Sequence, residues 1–255
     1  MRKGSFFALT VVLAIAMAWP SSARAALRAG TACVDITPQQ WPLAPRGSFT
    51  PRPTDSAHDP LKVRSLVLDN GEKGDVALAL VLVDSCMVHR ELLGRVKKEA
   101  SQETGIPTQQ MMICATHTHS APFANAQHGT PQELAYQKRL HNGIVEAIVQ
   151  AAKARQPAQI GWSGYGLPDE VFNRRWFLQP GSVPTNPFGE ETDIVKMNPP
   201  RNNDILINPA GPTDPEVSVL YLEDPRGRPL SVFANYSLHY VGATGGEMSA
   251  DYFGE

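Results

Sequence analysis

The chain has 255 residues, of which 42% are hydrophobic and 19% are charged, and its formal net charge is -2 at pH 7. This length and composition predict a globular protein of one large domain or two small ones. The near-neutral charge gives no reason to expect a nucleic acid or an anionic membrane as a partner. The 22 prolines cluster at residues 41–60 and 180–215, which predicts two long irregular loops.

The N-terminus has the features of an export signal. A short basic region precedes the apolar run Phe6–Trp19, and Ala23-Arg24-Ala25 fits a small-x-small cleavage site. We expect residues 1–25 to be removed, with cleavage near Ala25–Ala26, and the protein to be secreted or periplasmic. An uncleaved membrane anchor is the alternative, although the apolar run is short for spanning a bilayer.

The first half of the remaining chain alternates apolar runs with one amphipathic segment. Period-2 and continuously apolar patterns predict strands, and Arg90–Thr104 predicts a helix that ends at Gly105. The predicted strands are Ala29–Ile36, Val63–Leu68, Val76–Val83 and Met111–Ala115. Strand, helix and strand in the order 76–83, 90–104 and 111–115 form a βαβ unit, which implies two parallel neighbouring strands.

The second half begins with the longest helical pattern, Leu134–Arg155, whose apolar positions repeat every 3.6 residues. The predicted strands that follow are Ala158–Tyr165, Val217–Leu222 and Leu230–Tyr236. No internal linker divides residues 26–255. The sequence therefore predicts one α/β domain with a mixed, largely parallel sheet, flanking helices and long Pro-rich loops.

Two histidines follow the strand Met111–Ala115. His117 and His119 are two residues apart, so on an extended backbone their side chains project to the same face. His239 also follows an apolar strand. Three imidazoles at strand ends predict a metal or catalytic site at one edge of the sheet, of the kind that holds catalytic zinc. The alternative is that these are hydrogen-bonded or surface histidines.

Two further positions could contribute to this site. Asp84 ends the central apolar strand and is interpreted as a ligand, as a partner that orients a histidine, or, most simply, as the N-cap of the helix that follows. Asn173-Arg174-Arg175 could orient an anionic or amide substrate through a guanidinium group, or it could be a solvated basic pair.

The three cysteines, Cys33, Cys86 and Cys114, lie in or beside apolar stretches and lack the spacing of a structural zinc site. We expect buried free thiols. A Cys33–Cys114 or Cys86–Cys114 disulfide is the alternative in an oxidising compartment.

Several of these motifs together resemble the N-terminal catalytic domain of neutral/alkaline non-lysosomal ceramidases. The motifs occur in the order of that family across most of residues 26–255, with Ala121 in place of a usual glycine. They are Ala29-Gly30-Thr31-Ala32, Asp35-Ile36-Thr37-Pro38, Asp59-Pro60-Leu61, Ala115-Thr116-His117-Thr118-His119-Ser120-Ala121-Pro122, Asn173-Arg174, Asp214-Pro215-Glu216-Val217-Ser218-Val219-Leu220, His239 and Ser249-Ala250-Asp251-Tyr252.

The resemblance implies a zinc-dependent amidohydrolase that cleaves the N-acyl bond of ceramide or a related lipid amide. It implies Zn²⁺ bound by His117 and His239, with His119 as an active-site histidine. It further implies Arg174, or less directly Arg175, as the active-site arginine. In that family the other zinc ligands, the catalytic serine and an immunoglobulin-like domain follow the position of Glu255, so an incomplete domain is expected here. The expected partner is a lipid amide, with peripheral contact at a membrane surface.

Two other functions fit the same residues. A non-catalytic exported binding module could keep this fold without the chemistry. A metal-dependent esterase or phosphoesterase could use Asp84 together with the histidines.

Overall fold

The computed structural model describes residues 27–47, 50–71, 77–124, 129–200, 204–239 and 246–251. The predicted export signal lies outside the described residues. The two helices are α1 (Arg90–Thr104) and α2 (Pro131–Lys153). The strands are β1 (Arg28–Asp35), β2 (Lys62–Asp69), β3 (Leu78–Val83), β4 (Met111–Ala115), β5 (Gln156–Pro157), β6 (Gln159–Gly166), β7 (Arg175–Leu178), β8 (Val195–Met197), β9 (Leu206–Pro209), β10 (Glu216–Glu223) and β11 (Pro229–Tyr236).

The first sheet has the strand order β4-β3-β2-β1-β5 and is mixed, as predicted. The β3–β4 pair is parallel, which confirms the βαβ unit, because α1 provides the crossover between the two strands. Every other strand pair among the described residues is antiparallel. The prediction of a largely parallel sheet is therefore corrected. Only the helical connection through α1 joins two neighbouring strands, and the strand that follows α2, β5, pairs antiparallel with β1.

Both helices pack on one face of this sheet. The core between the helices and the sheet contains the side chains of the odd-numbered residues of β2 and β3 together with the apolar stripe of α2. Val67, Val81 and Ile144 belong to this core, and each is at most 1% exposed. Helix α2 begins with a capping box in which Thr130 and Glu133 bond each other's backbone N–H groups. It approaches β1 so closely that a Cβ atom at Gly30 would lie 2.1 Å from the carbonyl oxygen of Ala151.

The second sheet, in the order β11-β10-β6, covers the opposite face of the first sheet. Leu222 of β10 is fully buried against Leu66 and Leu80, whose side chains alternate to this side of β2 and β3. The molecule therefore has three layers: helices, first sheet and second sheet.

The third sheet, in the order β8-β7-β9, lies in residues 175–209, most of which were predicted to be an irregular loop. These strands have only three or four residues each and are separated by Pro, Gly and Asn. Such short strands have no extended period-2 pattern, which is why the prediction missed them. The other Pro-rich segment, between β1 and β2, forms only isolated bridges among its described residues, as predicted.

The three cysteines are free thiols, and Cys33 is exposed rather than buried. Cys33 on β1 and Cys114 on β4 are three strands apart, roughly 14 Å, which is too far for a disulfide. Within the residues that the structure describes, no helix combines the length and the apolar character that crossing a membrane requires.

Candidate metal centre

The candidate site lies where the parallel strands β3 and β4 end side by side. Because the strands run in the same direction, the segment after each emerges at the same edge of the sheet. The pairing continues past the strands: the backbone N–H of Thr116 donates to Val83 (2.9 Å), and that of His117 donates to Ser85 (3.0 Å). This places His117 beside Cys86.

His117 has a fixed ring orientation. Its Nδ1 lies 2.7 Å from the carbonyl oxygen of Cys86. A carbonyl can only accept, so we assign the proton to Nδ1. In the neutral ring this leaves Nε2 with a free lone pair, and a hydrogen bond of this kind at the distal nitrogen is typical of metal-binding histidines. His117 also has a left-handed backbone with φ of 65°, which is uncommon outside glycine and requires support from its surroundings.

His119 faces His117 across the site. The two Nε2 atoms are 3.3 Å apart, and the ring centroids are 4.8 Å apart in an edge-to-face arrangement. The backbone of His119 is bound on both sides: its carbonyl accepts from the N–H of Gly47 (3.2 Å), and its N–H donates to Oδ2 of Asp251 (3.1 Å). Hydrogen bonds therefore hold the ring of His117 and the backbone from which the ring of His119 projects.

His239, three residues beyond β11, completes the cluster. Its ring centroid lies 5.3 Å from that of His117 and 5.2 Å from that of His119. Although His239 is exposed overall, partial desolvation of its ring lowers its pKa, and the positive charges of Arg174, His119 and His117 lower it further. A lowered pKa favours the neutral imidazole, which is the form that binds a metal.

The separation of the His117 and His119 donor atoms fits zinc. His239 is not in the group of donor atoms that lie within 4.8 Å of one another, so its place as a zinc ligand stays a prediction. Two nitrogen atoms bound at about 2.0–2.1 Å to one tetrahedral ion lie about 3.3–3.4 Å apart. The Nε2 atoms of His117 and His119 have this separation. The donor atoms of Cys86, His117 and His119 also lie within 4.8 Å of one another. However, the sulfur of Cys86 is on the Nδ1 side of His117, 3.9 Å away, while the facing Nε2 atoms are on the other side. Burial also raises the pKa of this thiol, which disfavours the thiolate.

The two neighbouring arginines differ in their local contacts. The positive charge of Arg174 contributes to the lowered pKa of His239, and Arg174 is exposed to solvent. Arg175 begins β7, where its N–H donates to Oδ1 of Asn173 (2.9 Å) and its carbonyl accepts from Ala210 (2.8 Å). The role of Arg174, or of Arg175 in its place, at the histidine cluster stays a prediction.

Asp84 has a structural role that the sequence did not predict. It is fully buried, and its carboxylate accepts from Nη1 of Arg64 (2.8 Å) and from the backbone N–H of Lys62 (2.8 Å). The N-cap position of α1 is His89, so the prediction that Asp84 caps this helix is wrong. Both side-chain oxygens of Asp84 bind groups of β2, so it joins neighbouring strands.

Sequence reasoning missed the residues that hold the histidine loop. Asp251 and the carbonyl of Cys86 bind it directly, and Gly47 packs against it. A Cβ atom at Gly47 would lie 2.1 Å from Cβ of His119, so only glycine fits there. A backbone acceptor leaves no signature in a sequence. Asp251 did have one, because it belongs to the Ser249-Ala250-Asp251-Tyr252 motif that contributes to the family resemblance, although the motif gave it no role at the histidines.

Comparisons with known proteins agree on one class. Neutral ceramidase B of Dictyostelium discoideum is 28% identical over 168 residues, which cover 62% of this chain and 21% of that protein. Neutral ceramidase A of the same organism is 27% identical over 221 residues, which cover 82% of this chain and 28% of that protein. No protein-family model matches the chain.

Solved structures show the same fold. A ceramidase structure described as complexed with C2 aligns with a TM-score of 0.58 at 20% identity, over 82% of this chain and 30% of that one. Neutral ceramidase from Pseudomonas aeruginosa aligns with a TM-score of 0.57 at 19% identity, over 82% and 31% of the two chains. The architecture is thus that of a ceramidase. A neutral ceramidase-like region makes up 82% of this chain, and the chain spans less than a third of the length of each of these relatives.

Proposed function

We propose that this region belongs to a zinc-dependent amidohydrolase of the neutral ceramidase type, which hydrolyses the N-acyl bond of ceramide or a related lipid amide. One observation carries the proposal: the imidazoles of His117, His119 and His239 converge with centroid separations of 4.8–5.3 Å. The ceramidase names of the similar proteins supply the reaction and the substrate class.

Each histidine has a proposed role. His117 and His239 hold zinc, His117 through the Nε2 that its bond to Cys86 leaves unprotonated. Zinc bound there would polarise the amide carbonyl of the substrate and would make a bound water nucleophilic at neutral pH. His119, whose Nε2 is 3.3 Å from that of His117, exchanges a proton with the reacting groups and can also donate a hydrogen bond to a developing oxyanion.

Arg174 is proposed to orient the substrate. Its positive charge contributes to the lowered pKa of His239, and this electrostatic coupling supports a position of the guanidinium group near a substrate at the histidines. A guanidinium offers five donors in a planar fork, and this suits an amide carbonyl or a hydroxyl of the head group. The same charge adds to the desolvation that lowers the pKa of His239, so Arg174 would also favour the neutral, metal-binding form of that ring.

We also propose which part of the enzyme this chain forms and where the enzyme acts. The chain matches about 30% of the length of the solved ceramidases, and we propose that it acts as the N-terminal part of a longer catalytic unit. Residues 1–25 direct export to a secreted or periplasmic location, and the lipid substrate is met at a membrane surface. These proposals rest on the sequence patterns.

The test combines metal content with hydrolysis. We would purify this chain and the longer catalytic unit proposed above, measure the zinc bound by each with mass spectrometry, and assay fatty-acid release from a fluorescent ceramide, which is expected of the longer unit and not of this chain alone. His117→Ala should abolish both. His141→Ala is the matched control, because His141 pairs with Glu99 on the helices at 2.8 Å and is not part of the cluster. Failure of the wild-type chain to bind zinc would contradict the proposed metal centre.

A non-catalytic binding module is the second candidate, favoured by the exposure of His117 and His239 to solvent. Bound ceramide without fatty-acid release, unaffected by His117→Ala, would support the module over the enzyme. The phosphoesterase alternative loses support, because the carboxylate of Asp84 is occupied by Arg64 and Lys62.

A further inference from the structure

We infer that Asp251 is a positioning residue of the metal centre, which sets the direction of the His117 and His119 side chains through the residue between them. This inference rests on the proposed zinc site and adds a residue to it. Asp251 is 8% exposed and is far from the histidines in sequence, yet it contacts their loop directly.

The carboxylate of Asp251 binds two consecutive residues of the loop. Its Oδ2 accepts from Oγ1 of Thr118 (2.6 Å) and from the backbone N–H of His119 (3.1 Å). Thr118 is 2% exposed and has a histidine on each side. Fixing its side chain and the following peptide plane therefore constrains the backbone from which both imidazoles project.

The loop needs this constraint because its conformation is unfavourable. His117 has φ of 65°, a region that few residues other than glycine occupy, and such a conformation persists only when the surroundings over-determine it. Asp251 supports the loop on one side. Gly47 supports it on the other, because its N–H donates to the carbonyl of His119.

Asp251 is itself held rigidly. Its N–H donates to Oγ of Ser249 (2.8 Å), and the same hydroxyl donates to the carboxylate of Asp59. Asp59 also accepts from the N–H of Ala250 at 2.8 Å. Met248 and Ala250 are fully buried in the main core, so the segment cannot shift without disturbing that core. The support therefore runs from the core through Asp251 to the histidines.

The test compares zinc affinities of four forms of the full chain: wild type, Asp251→Ala, Asp251→Asn and Asp224→Ala. We expect Asp251→Ala to lower the affinity by about 10- to 100-fold, the range for residues that orient metal ligands. Asp251→Asn keeps an oxygen that can accept both hydrogen bonds, so it should retain most of the affinity. Asp224, 3% exposed, is another buried aspartate, which lies in the β10–β11 turn and binds Arg228, and its loss should leave the affinity unchanged.

Wild-type affinity in Asp251→Ala would overturn the inference, as would an equal loss in Asp224→Ala. A loss in Asp251→Asn as large as in Asp251→Ala would show that charge acts instead of position, and would also overturn it.

If the wild-type chain binds no zinc, the proposed function fails and the inference is judged on the metal-free protein. The ¹⁵N resonances of the His117 and His119 rings should then change in Asp251→Ala and stay unchanged in Asp224→Ala. Unchanged ring resonances in Asp251→Ala would overturn it.

Discussion

The carbonyl oxygen of Cys86 lies 2.7 Å from Nδ1 of His117, so a main-chain atom sets the tautomer of a proposed metal ligand. The thiol of the same residue is buried and lies on the far side of the ring from the Nε2 atoms that face each other. The cysteine therefore contributes through its backbone, and its side chain can change without loss of the site.

We accordingly predict that Cys86→Ala retains zinc binding. The substitution keeps the carbonyl that orients His117 and removes only a buried sulfur atom, which should lower the stability modestly. Calorimetric titration with zinc measures the affinity. A loss as large as that of His117→Ala would identify the thiol as a ligand and contradict the assignment of the carbonyl as the orienting group.

Gly47→Ala should weaken zinc binding. A Cβ atom at this position would lie 2.1 Å from Cβ of His119 and 2.3 Å from its Cα, so the histidine loop must move away. The matched control is Gly161→Ala in β6, where a Cβ atom meets nothing within 4 Å. Equal zinc affinities for the two variants would show that the loop accommodates the extra methyl group.

Gly30→Ala should destabilise the fold, because the new methyl group would lie 2.1 Å from the carbonyl oxygen of Ala151 in α2. Overpacking of this kind costs about 1–3 kcal/mol. Gly94→Ala should have the opposite effect, since Gly94 is exposed inside α1 with nothing within 4 Å of the new atom. Alanine is the better helix former by about 0.8–1 kcal/mol. Urea unfolding of both variants gives the two free energies.

Asp69 should make the protein sensitive to acid. A bidentate hydrogen bond from Arg28, together with Arg155 and the N–H of Gly71, lowers the pKa of this carboxyl despite its burial. A carboxyl whose pKa is lower in the folded state stabilises the fold above its unfolded pKa of about 3.9. That stability is lost as the pH falls through the folded pKa. Asp69→Asn should therefore be less stable at pH 7 and show a smaller decrease in stability between pH 5 and pH 2.

Asp84 should give the stability a pH dependence of the opposite sign. Burial raises its pKa, and Arg64 opposes that shift. Arg64→Ala leaves a buried carboxylate without its main counter-charge, so the variant should lose about 3 kcal/mol at pH 7. It should also become more stable as the pH falls towards 5, because an acid with a raised pKa in the folded state takes up a proton on folding. Adding Asp84→Asn to Arg64→Ala should remove this pH dependence. If the free energy of unfolding changed with pH in the same way for the single and the double variant, Asp84 would not be the group responsible.

The core elements could be predicted because their signals are long and local. Helix α1 has the predicted bounds of Arg90–Thr104, and β4 those of Met111–Ala115. Each is a single run with one clear period, and Gly105 ends the helix with the left-handed conformation expected of a C-terminal glycine. The direction of strand pairing depends on connections between elements, and there the prediction was only partly correct.

The sequence singled out the three histidines whose rings lie close together, while their role as metal ligands stays a prediction, and it missed the residues that support them. His117, His119 and His239 stand at strand ends, where a polar residue after an apolar run is conspicuous. Asp251 and Asp59 support them from positions distant in the sequence, and only the folded chain shows which groups they bind. A motif identifies donor atoms; the geometry that directs them is a property of tertiary contacts.

His117 follows a strand of the first sheet and His239 follows a strand of the second, about 120 residues later in the chain. An ion shared by the two would act as a cross-link that closes a loop of this length in the unfolded chain. A covalent cross-link over such a loop reduces the entropy of the unfolded chain by the equivalent of about 5 kcal/mol. Removal of the ion by a chelator would therefore act like the reduction of a disulfide. The two sheets would separate at a lower temperature, even though every residue of the core remained unchanged.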